Sequence, residues 1–384
     1  MRVLFNCTTN VIGGPVQNAT NFIIRALKDT NVDYYVAMSR QVAINLDRYL
    51  DVDDIRHTIF EKSPSKSLKS RRLLRSIEDK FSPDIVYTMA GPAFVNFKSL
   101  HLLGCSNPYV SFWEPLFVNY DRGLAGQMLL KARTAYQEYW FRRADFWMFQ
   151  TESSAKGFSH RLDVSFDKLF VVANSLGAEF DEVSYNDNFD IIDKKVRILI
   201  PSADYPHKAL KIIPSVAKSL KILHPEFEFI FTLTIDKQNR VWRNMLRESI
   251  ALGVDCNIVN IGPYKYCEAR GLYDSHHIVC LPSILEVFST SYLEAMAAGK
   301  PLVVSDLVFA RDICQNAAYY AKPLCAESFA NGIVKAAVDR KYAAGIKRNG
   351  FSVLKKYGDY GLRYRQIINV LTELTSKKLM DDCL

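Results

Sequence analysis

The chain has 384 residues, of which 49% are hydrophobic and 23% are charged, and its 49 basic against 41 acidic residues give a net charge of +8. This length favours two domains in a globular protein, and no stretch approaches the roughly 18 consecutive apolar residues of a membrane span. The basic excess lies in residues 191–384, with 27 basic and 19 acidic residues, but without a zinc knuckle or helix-turn-helix spacing it does not indicate nucleic-acid binding.

Short apolar runs alternate with helical periodicity through the first half. The N-terminus is typical of a first strand and not of a signal peptide. Strands are predicted at 3–6, 34–38, 55–58, 85–89, 109–112, 146–150 and 169–172. The alternation predicts a parallel sheet covered by helices on both faces. Between the first strand and a helix that starts near Pro15, Gly13 and Gly14 either make the turn or let the backbone approach a ligand. They do not form a GxGxxG fingerprint, so a dinucleotide is not expected.

Two further stretches of the first half are candidates for contact with an acceptor. Six basic residues between 62 and 75 surround three leucines, which is typical of a solvated helix face and also of a surface that lies on anionic lipid. Residues 111–120 contain four large aromatic side chains interrupted by Glu114, and one of them is Trp113. These rings either pack in the core or stack on sugars.

The eight cysteines are scattered singly, and neither a C-x-x-C pair nor a Cys/His cluster indicates a metal site. We expect buried free thiols in a reducing cytoplasm.

A second alternating series follows residues 174–194, an acidic, Asn-rich stretch without periodicity that is predicted to be a linker. Strands are predicted at 196–200, 226–234, 256–261, 277–281, 302–305 and 318–320, with helices at 208–221, 238–252, 264–273 and 290–298. The loop after the first of these strands carries His207 and Lys208. The adjacent His276 and His277 cannot share one helix face and are interpreted as structural.

Residues 281–306, LPSILEVFSTSYLEAMAAGKPLVVSD, are the most informative stretch of the chain. A helix is predicted from about residue 290 to Gly299, which leaves Glu286 in a loop and Glu294 inside the helix. The N–H groups at the start of this helix form a suitable cradle for a diphosphate; they belong to Phe288, Ser289 and Thr290. A carboxylate on each side could accept hydrogen bonds from sugar hydroxyls. Alternatively, Glu294 closes a capping box with Ser291.

The stretch resembles the pattern PS-x-x-E-x-F-x-x-x-x-x-E-A-M-A-x-G-K-P-V-x-x-S-D of retaining glycosyltransferase family 4, with Leu302 at the Val position. The resemblance implies the GT-B fold, an α/β architecture of two Rossmann-like domains that face each other across a cleft. The expected boundaries are an acceptor domain at 1–173, a linker at 174–194, a nucleotide-sugar domain at 195–358, and a helix at 359–384 that crosses back to the first domain.

The resemblance also implies roles for individual residues. Glu286 would bind hydroxyls of the donor sugar, Glu294 those of the ribose, and Lys208, with a weaker contribution from His207, the diphosphate. In the family, the loop of Gly13 and Gly14 faces the donor, and the turn of Gly262 and Pro263 borders the base. The chain departs from the family in two places, since no Arg precedes Lys208 and Trp113, followed by Glu114, stands where many members have a histidine.

The expected function is transfer of a sugar from a UDP- or GDP-sugar to a saccharide acceptor, free or lipid-linked, in O-antigen or capsule assembly. Neither a metal nor a cofactor is expected, and the expected location is the cytoplasm, at the inner face of the membrane, with contact to anionic lipid. Three alternatives remain: a sugar-nucleotide epimerase, an α-glucan phosphorylase that would need pyridoxal phosphate, and a silent scaffold subunit.

Overall fold

The computed structural model describes residues 1–51, 54–180 and 191–381, and the chain divides into two compact units. The first unit comprises Met1–Trp113, Arg122–Asn174 and the segment that begins at Tyr360, and the second comprises Glu114–Asp121 and Ser175–Asp359. The linker predicted at 174–194 falls in part on residues 181–190, which lie outside the described residues.

The described part of the first unit contains a parallel sheet of seven strands in the order β3-β2-β1-β4-β5-β6-β7. Its strands are β1 Arg2–Cys7, β2 Asp33–Ser39, β3 His57–Phe60, β4 Ile85–Thr88, β5 Leu100–Gly104, β6 Phe146–Phe149 and β7 Leu169–Val171. Its helices are α1 Gly14–Ala26, α2 Arg40–Leu46, α3 Leu68–Phe81, α4 Pro108–Ser111, α6 Leu124–Phe141, α7 Glu152–Leu162 and α15 Tyr360–Asp381, whereas α5 Pro115–Val118 belongs to the second unit. The central strands are buried on both faces, as parallel strands covered by helices must be.

The C-terminal helix α15 completes the core of the first unit. Ile367, Leu371 and Leu374 are each at most 2% exposed and pack in the cluster that contains β1, α1 and β4. The Tyr364 hydroxyl, on the same helix, donates to Asp29 at 2.9 Å.

The described part of the second unit contains a parallel sheet of six strands in the order β10-β9-β8-β11-β12-β13. Its strands are β8 Lys195–Ile200, β9 Glu228–Leu233, β10 Ile258–Asn260, β11 Ile278–Leu281, β12 Leu302–Ser305 and β13 Tyr319–Ala321. Its other helices are α8 Ile213–Leu223, α9 Arg240–Ala251, α10 Ala269–Asp274, α11 Thr290–Ala297, α12 Val308–Cys314, α13 Ala326–Val338 and α14 Arg340–Leu354.

The order of the strands in the second sheet brings two of its loops together. The chain builds outward from β8 to β10 on one side and from β11 to β13 on the other, so β8 and β11 are neighbours at the point where the order reverses. Loops that follow two such strands lie together at the carboxyl edge of the sheet, which is where open α/β sheets bind ligands. Here these loops are 201–212 and 282–289.

Several sequence-based predictions were wrong in detail. Residues 109–112 are not a strand, because Asn107 caps a short helix by accepting from the Tyr109 N–H at 3.0 Å and Pro108 fixes its first turn. The neighbouring strand β5 was missed. The strand predicted at 55–58 is β3, two residues later. Cys256 and Cys267 are exposed, contrary to the expectation of buried thiols, because each lies in a one-turn 3-10 helix without buried residues, at Asp255–Asn257 and Tyr266–Glu268.

Candidate active site

The predicted motif forms a buried loop and helix after β11. Glu286 is in the loop and Glu294 is in α11, as predicted, and α11 begins at Thr290. The helix ends at Ala297, and Gly299 follows with φ of 61°, a left-handed conformation that favours glycine. Residues 292–299 are buried throughout, so the helix has little freedom to shift. The first N–H groups of α11 have no acceptor within the helix, because no helical carbonyl precedes them by four residues.

Glu286 forms an ion pair with the Lys208 ammonium through Oε1. Lys208 ends a 3-10 turn at Pro206–Lys208 that follows β8. The two loops are also joined by the backbone, because the Ile284 N–H donates to the His207 carbonyl at 2.8 Å. The side chains are only 15% and 10% exposed, so the pair is shielded from solvent. Both residues were predicted from the sequence, but their direct pairing was not.

Glu294 is 5% exposed and is held by tyrosines. The Tyr273 hydroxyl on α10 donates to Glu294 Oε2 at 2.7 Å. Burial raises the pKa of Glu294 to about 6, and hydrogen bonds from Tyr273 and Tyr266 lower it in part. Ser289, the residue before α11, makes no side-chain cap, and Glu294 is directed to α10. The capping-box alternative is therefore not what this structure shows.

Tyr266 and Phe180 complete the surroundings of Glu294. A Cβ on Gly177 would lie 1.9 Å from the Tyr266 hydroxyl, so a larger residue at this position would displace the Tyr266 side chain. Phe180 is fully buried and meets the Tyr273 ring edge-on, with centroids 5.3 Å apart. These tyrosines were not predicted from the sequence. The available signal was a pair of phenols, seven positions apart, in the segment that precedes β11.

Of the remaining predicted residues of the second unit, His207 and Gly262 follow strands β8 and β10 at the same edge of the sheet. The His207 ring stacks on Tyr205 with centroids 5.5 Å apart and planes 5° apart. Gly262 follows β10 with φ of 87°, and its N–H donates to Asn260 Oδ1 at 3.1 Å before Pro263. Glu114 is exposed and precedes α5 without capping it.

A recess that is open to solvent lies beside the Lys208 loop within this unit. It is lined by Tyr120, Asp121, Asp204, Tyr205, Pro206, Ala209, Leu210, Lys211 and Val241. Lys211 forms an ion pair with Asp121 on its wall. The sequence reasoning did not single out either residue.

Gly13, Gly14 and Trp113 belong to the first unit. Gly13 has φ of 64° just before α1, and the space that a Cβ would fill at Gly13 or Gly14 is open to 4 Å. The Trp113 ring lies under the Arg161 guanidinium at 4.4 Å from its centroid.

His276 and His277 have structural hydrogen bonds, as interpreted. His276 Nε2 lies 2.8 Å from Thr232 Oγ1, and His277 Nδ1 accepts from the Arg197 N–H at 2.9 Å. Burial lowers the pKa of His277 to about 4. Within the described ranges, no three His, Cys, Asp or Glu side chains are arranged to hold a metal ion.

Part of the chain is similar in sequence to known glycosyltransferases. Residues 185–353 match the family model of glycosyl transferases group 1. The O-antigen chain mannosyltransferase RfbU of Salmonella typhimurium is 25% identical over 185 residues, which cover 46% of this chain and 51% of RfbU. The chain thus spans about half the length of that relative.

Two solved structures are similar along almost the whole chain. A glycosyltransferase of Rickettsia africae superposes with a TM-score of 0.72 at 17% identity over 97% of this chain and 98% of its own. Anabaena HepE, solved with UDP and glucose, has a TM-score of 0.70 at 16% identity over 97% and 100%. Residues 185–353 are therefore similar to glycosyl transferases group 1, and the chain has the GT-B fold.

Proposed function

We propose that the protein is a retaining glycosyltransferase that moves a hexose from a UDP- or GDP-sugar to a hydroxyl of a saccharide acceptor in bacterial surface polysaccharide assembly. The observation that carries this proposal is the shielded Lys208–Glu286 ion pair at the β8/β11 edge, on the loop that leads to the buried Glu294 of α11. Two similar proteins support it, since RfbU is an O-antigen chain mannosyltransferase and HepE was solved with UDP and glucose.

The proposed donor site combines one cation, two carboxylates and a helix amino end. An ammonium has three donors, and Glu286 uses one of them, so Lys208 retains donors for a diphosphate. The amino end of α11 adds N–H groups and the positive end of its dipole. In this proposal Glu286 also accepts from a donor-sugar hydroxyl, and Glu294 accepts from the ribose.

The proposed reaction breaks the bond between the anomeric carbon and the diphosphate oxygen. The acceptor oxygen forms the new bond on the same face, and its proton passes to the departing phosphate oxygen, so no enzyme nucleophile is required. Negative charge accumulates on the diphosphate during this step, and Lys208 stabilises it there. Preorganised charge at a developing anion is usually the largest single contribution to catalysis.

We further propose that the acceptor saccharide is carried by a lipid, at the cytoplasmic face of the membrane. The name of RfbU supports this assignment, because it places that relative in assembly of the O-antigen chain.

The experiment that tests the proposal measures UDP or GDP release from UDP-glucose, UDP-galactose and GDP-mannose, with water as the acceptor. Nuclear magnetic resonance then reads the anomeric configuration of the freshly released sugar. We expect release from at least one donor with retained configuration. Glu286→Gln and Lys208→Gln should each lower the rate by on the order of 100-fold, because each removes a charge from the reacting centre.

Lys221→Gln is the matched control. Lys221 is also a lysine of the second unit, but it lies in the last turn of α8 and donates to the Gly253 carbonyl. It should keep the wild-type rate. Inverted configuration would disprove retention. An isomerised nucleotide-sugar would identify an epimerase. Nucleotide binding without turnover of any donor would favour the alternative of a catalytically silent scaffold subunit. The absence of an Arg before Lys208 is the observation that favours this alternative.

A further inference from the structure

Helix α6 presents its apolar face to solvent. Only Thr134 and Phe141 of its 18 residues are buried. At 100° per residue, one continuous stripe of about 140° contains Leu124, Ala125, Met128, Leu129, Ala132, Ala135, Tyr136 and Tyr139, and each of them is exposed. Leu124 is 80% exposed, and Met128 and Leu129 are each 72% exposed. A helix that packs on a core normally buries such a stripe, so the aliphatic part of this face, at Leu124, Met128 and Leu129, lacks a covering partner among the described residues.

Basic residues border the stripe. Lys131 and Arg133 lie at its two edges by helical position, and both are exposed. Residues 122–137 contain no Asp or Glu. The Arg71 guanidinium of α3 donates to the Tyr136 hydroxyl at 2.8 Å, which fixes α3 beside α6.

The neighbouring half of α3 has the same character. Lys69, Arg72 and Arg75 are exposed together with Leu68 and Leu73, and residues 62–77 contain no Asp or Glu. Residues 1–190 as a whole carry 22 basic and 22 acidic residues, so the positive charge is concentrated locally. We name the exposed faces of α3 and α6 the cationic apolar surface.

We propose that the cationic apolar surface docks on an anionic lipid bilayer, with the α6 stripe lying in the interface. An amphipathic helix with large aliphatic side chains on one face and basic residues at its borders is suited to this environment. Anionic headgroups attract each nearby Lys and Arg, whose long side chains reach the headgroup layer. No described helix is long and apolar enough to cross a membrane, so contact at this surface would be peripheral.

A second copy of the chain is the less suitable occupant. Two such surfaces brought face to face would place Lys131, Arg133 and the basic residues of α3 close to basic residues of the copy. Like charges in a desolvated contact are unfavourable, whereas an anionic bilayer supplies the opposite charge. The exposed leucine and methionine side chains alone would not distinguish a bilayer from a second copy of the chain. The positive charge of the surface distinguishes them, because it favours the anionic bilayer.

The test is flotation of the purified chain with phosphatidylcholine vesicles that contain about one third phosphatidylglycerol, and with vesicles of phosphatidylcholine alone. The wild type should float with the anionic vesicles only, less so at high salt. Met128→Glu/Leu129→Glu should lower the partition coefficient at least about tenfold, because it removes two inserted side chains and adds two repelled charges.

The matched control is Ile222→Glu/Leu223→Glu, which places the same charges on two consecutive exposed aliphatic residues of α8. It should float like the wild type. Equal flotation of the Met128/Leu129 variant, or no flotation of the wild type, would overturn the proposal. Dimers in sedimentation that this variant abolishes, without vesicle binding, would identify a second copy as the occupant.

This inference adds a partner to the proposed function but rests on the cationic apolar surface alone. Release of UDP or GDP from a soluble donor, measured without vesicles, should be the same in both variants and the wild type. Loss of flotation with normal nucleotide release would therefore concern the cationic apolar surface alone, whereas absence of nucleotide release in the wild type would contradict the proposed catalytic function.

Discussion

The two glutamates of the motif are held by different chemistry. Glu286 accepts from the Lys208 ammonium, whereas the buried Glu294 accepts from the Tyr273 hydroxyl. An ammonium compensates the charge of a carboxylate directly, but a phenol supplies only a hydrogen bond. Desolvation therefore dominates at Glu294 and raises its pKa to about 6.

Replacing Glu294 by Gln should raise stability at neutral pH and weaken nucleotide binding. Because the folded-state pKa is raised from 4.5 to about 6, the stability that Glu294 contributes is present below about pH 4.5 and is lost as the pH rises through 6. The ionised group then costs on the order of 2 kcal/mol, which Gln avoids. Urea unfolding at about pH 5 and about pH 8 should show stabilisation by the variant mainly at the higher pH.

Nucleotide binding should respond in the opposite direction. The ionised Glu294 is the better acceptor for ribose hydroxyls, so calorimetry should show that wild-type affinity for UDP or GDP falls as the pH drops below about 6. The variant should bind more weakly, and this pH dependence should be absent. A variant that keeps the wild-type pH profile, or that is less stable at the higher pH, would contradict the assignment of Glu294.

Local sequence predicted the positions of these residues but not their partners. The helix start, the glycine stop and the loop position of Glu286 follow from capping and backbone preferences within about 20 residues. Tyr273 is 21 positions from Glu294, and Lys208 is 78 positions from Glu286. Such contacts depend on strand order, since Lys208 meets Glu286 only because β8 and β11 are neighbours.

At the scale of elements, short apolar runs were the source of error. Residues 109–112 contain Tyr, Val and Phe, which favour a strand, but Asn107 and Pro108 start a helix immediately before them. The strand that pairs with β4 is instead β5, a short buried run. Periodicity cannot separate a buried strand from a helical turn over four residues, whereas the long segments α1 and α15 were predicted as helices from their spacing.

Leu371→Ala in α15 should destabilise the first unit by about 2–5 kcal/mol, because it opens a cavity in the core formed with α1 and β1. Leu371 is fully buried in that cluster, although the cluster members on β1 and α1 are more than 340 positions away in sequence. Urea unfolding monitored by circular dichroism measures the change. Thr372→Ala, at the exposed neighbour on the same helix, is the control and should change stability by less than about 0.5 kcal/mol. Equal effects of the two substitutions would show that α15 does not contribute to this core.

At the scale of the whole molecule, the chain consists of two α/β units with separate cores. The core with α15 contains residues of the first unit, and the core around β8, β9 and α13 contains residues of the second. The proposed donor residues Lys208, Glu286 and Glu294 all belong to the second unit, and the cationic apolar surface belongs to the first. The proposed donor binding and the proposed lipid binding therefore depend on different parts of the chain.

Hydrogen exchange should separate the two units. At UDP or GDP concentrations about 100 times the dissociation constant, binding to the native state should stabilise it by roughly 2.7 kcal/mol. We expect slower exchange in peptides from β8, β11 and α11. In the proposed complex the nucleotide contacts the loop after β8 and the loop between β11 and α11, and it suppresses the local opening of these segments. Leu371→Ala should instead accelerate exchange in peptides from β1, α1 and α15. Nucleotide protection that is confined to the first unit, or equal in both units, would be incompatible with a donor site built from Lys208, Glu286 and Glu294, because a ligand protects most strongly the segments whose opening would release it.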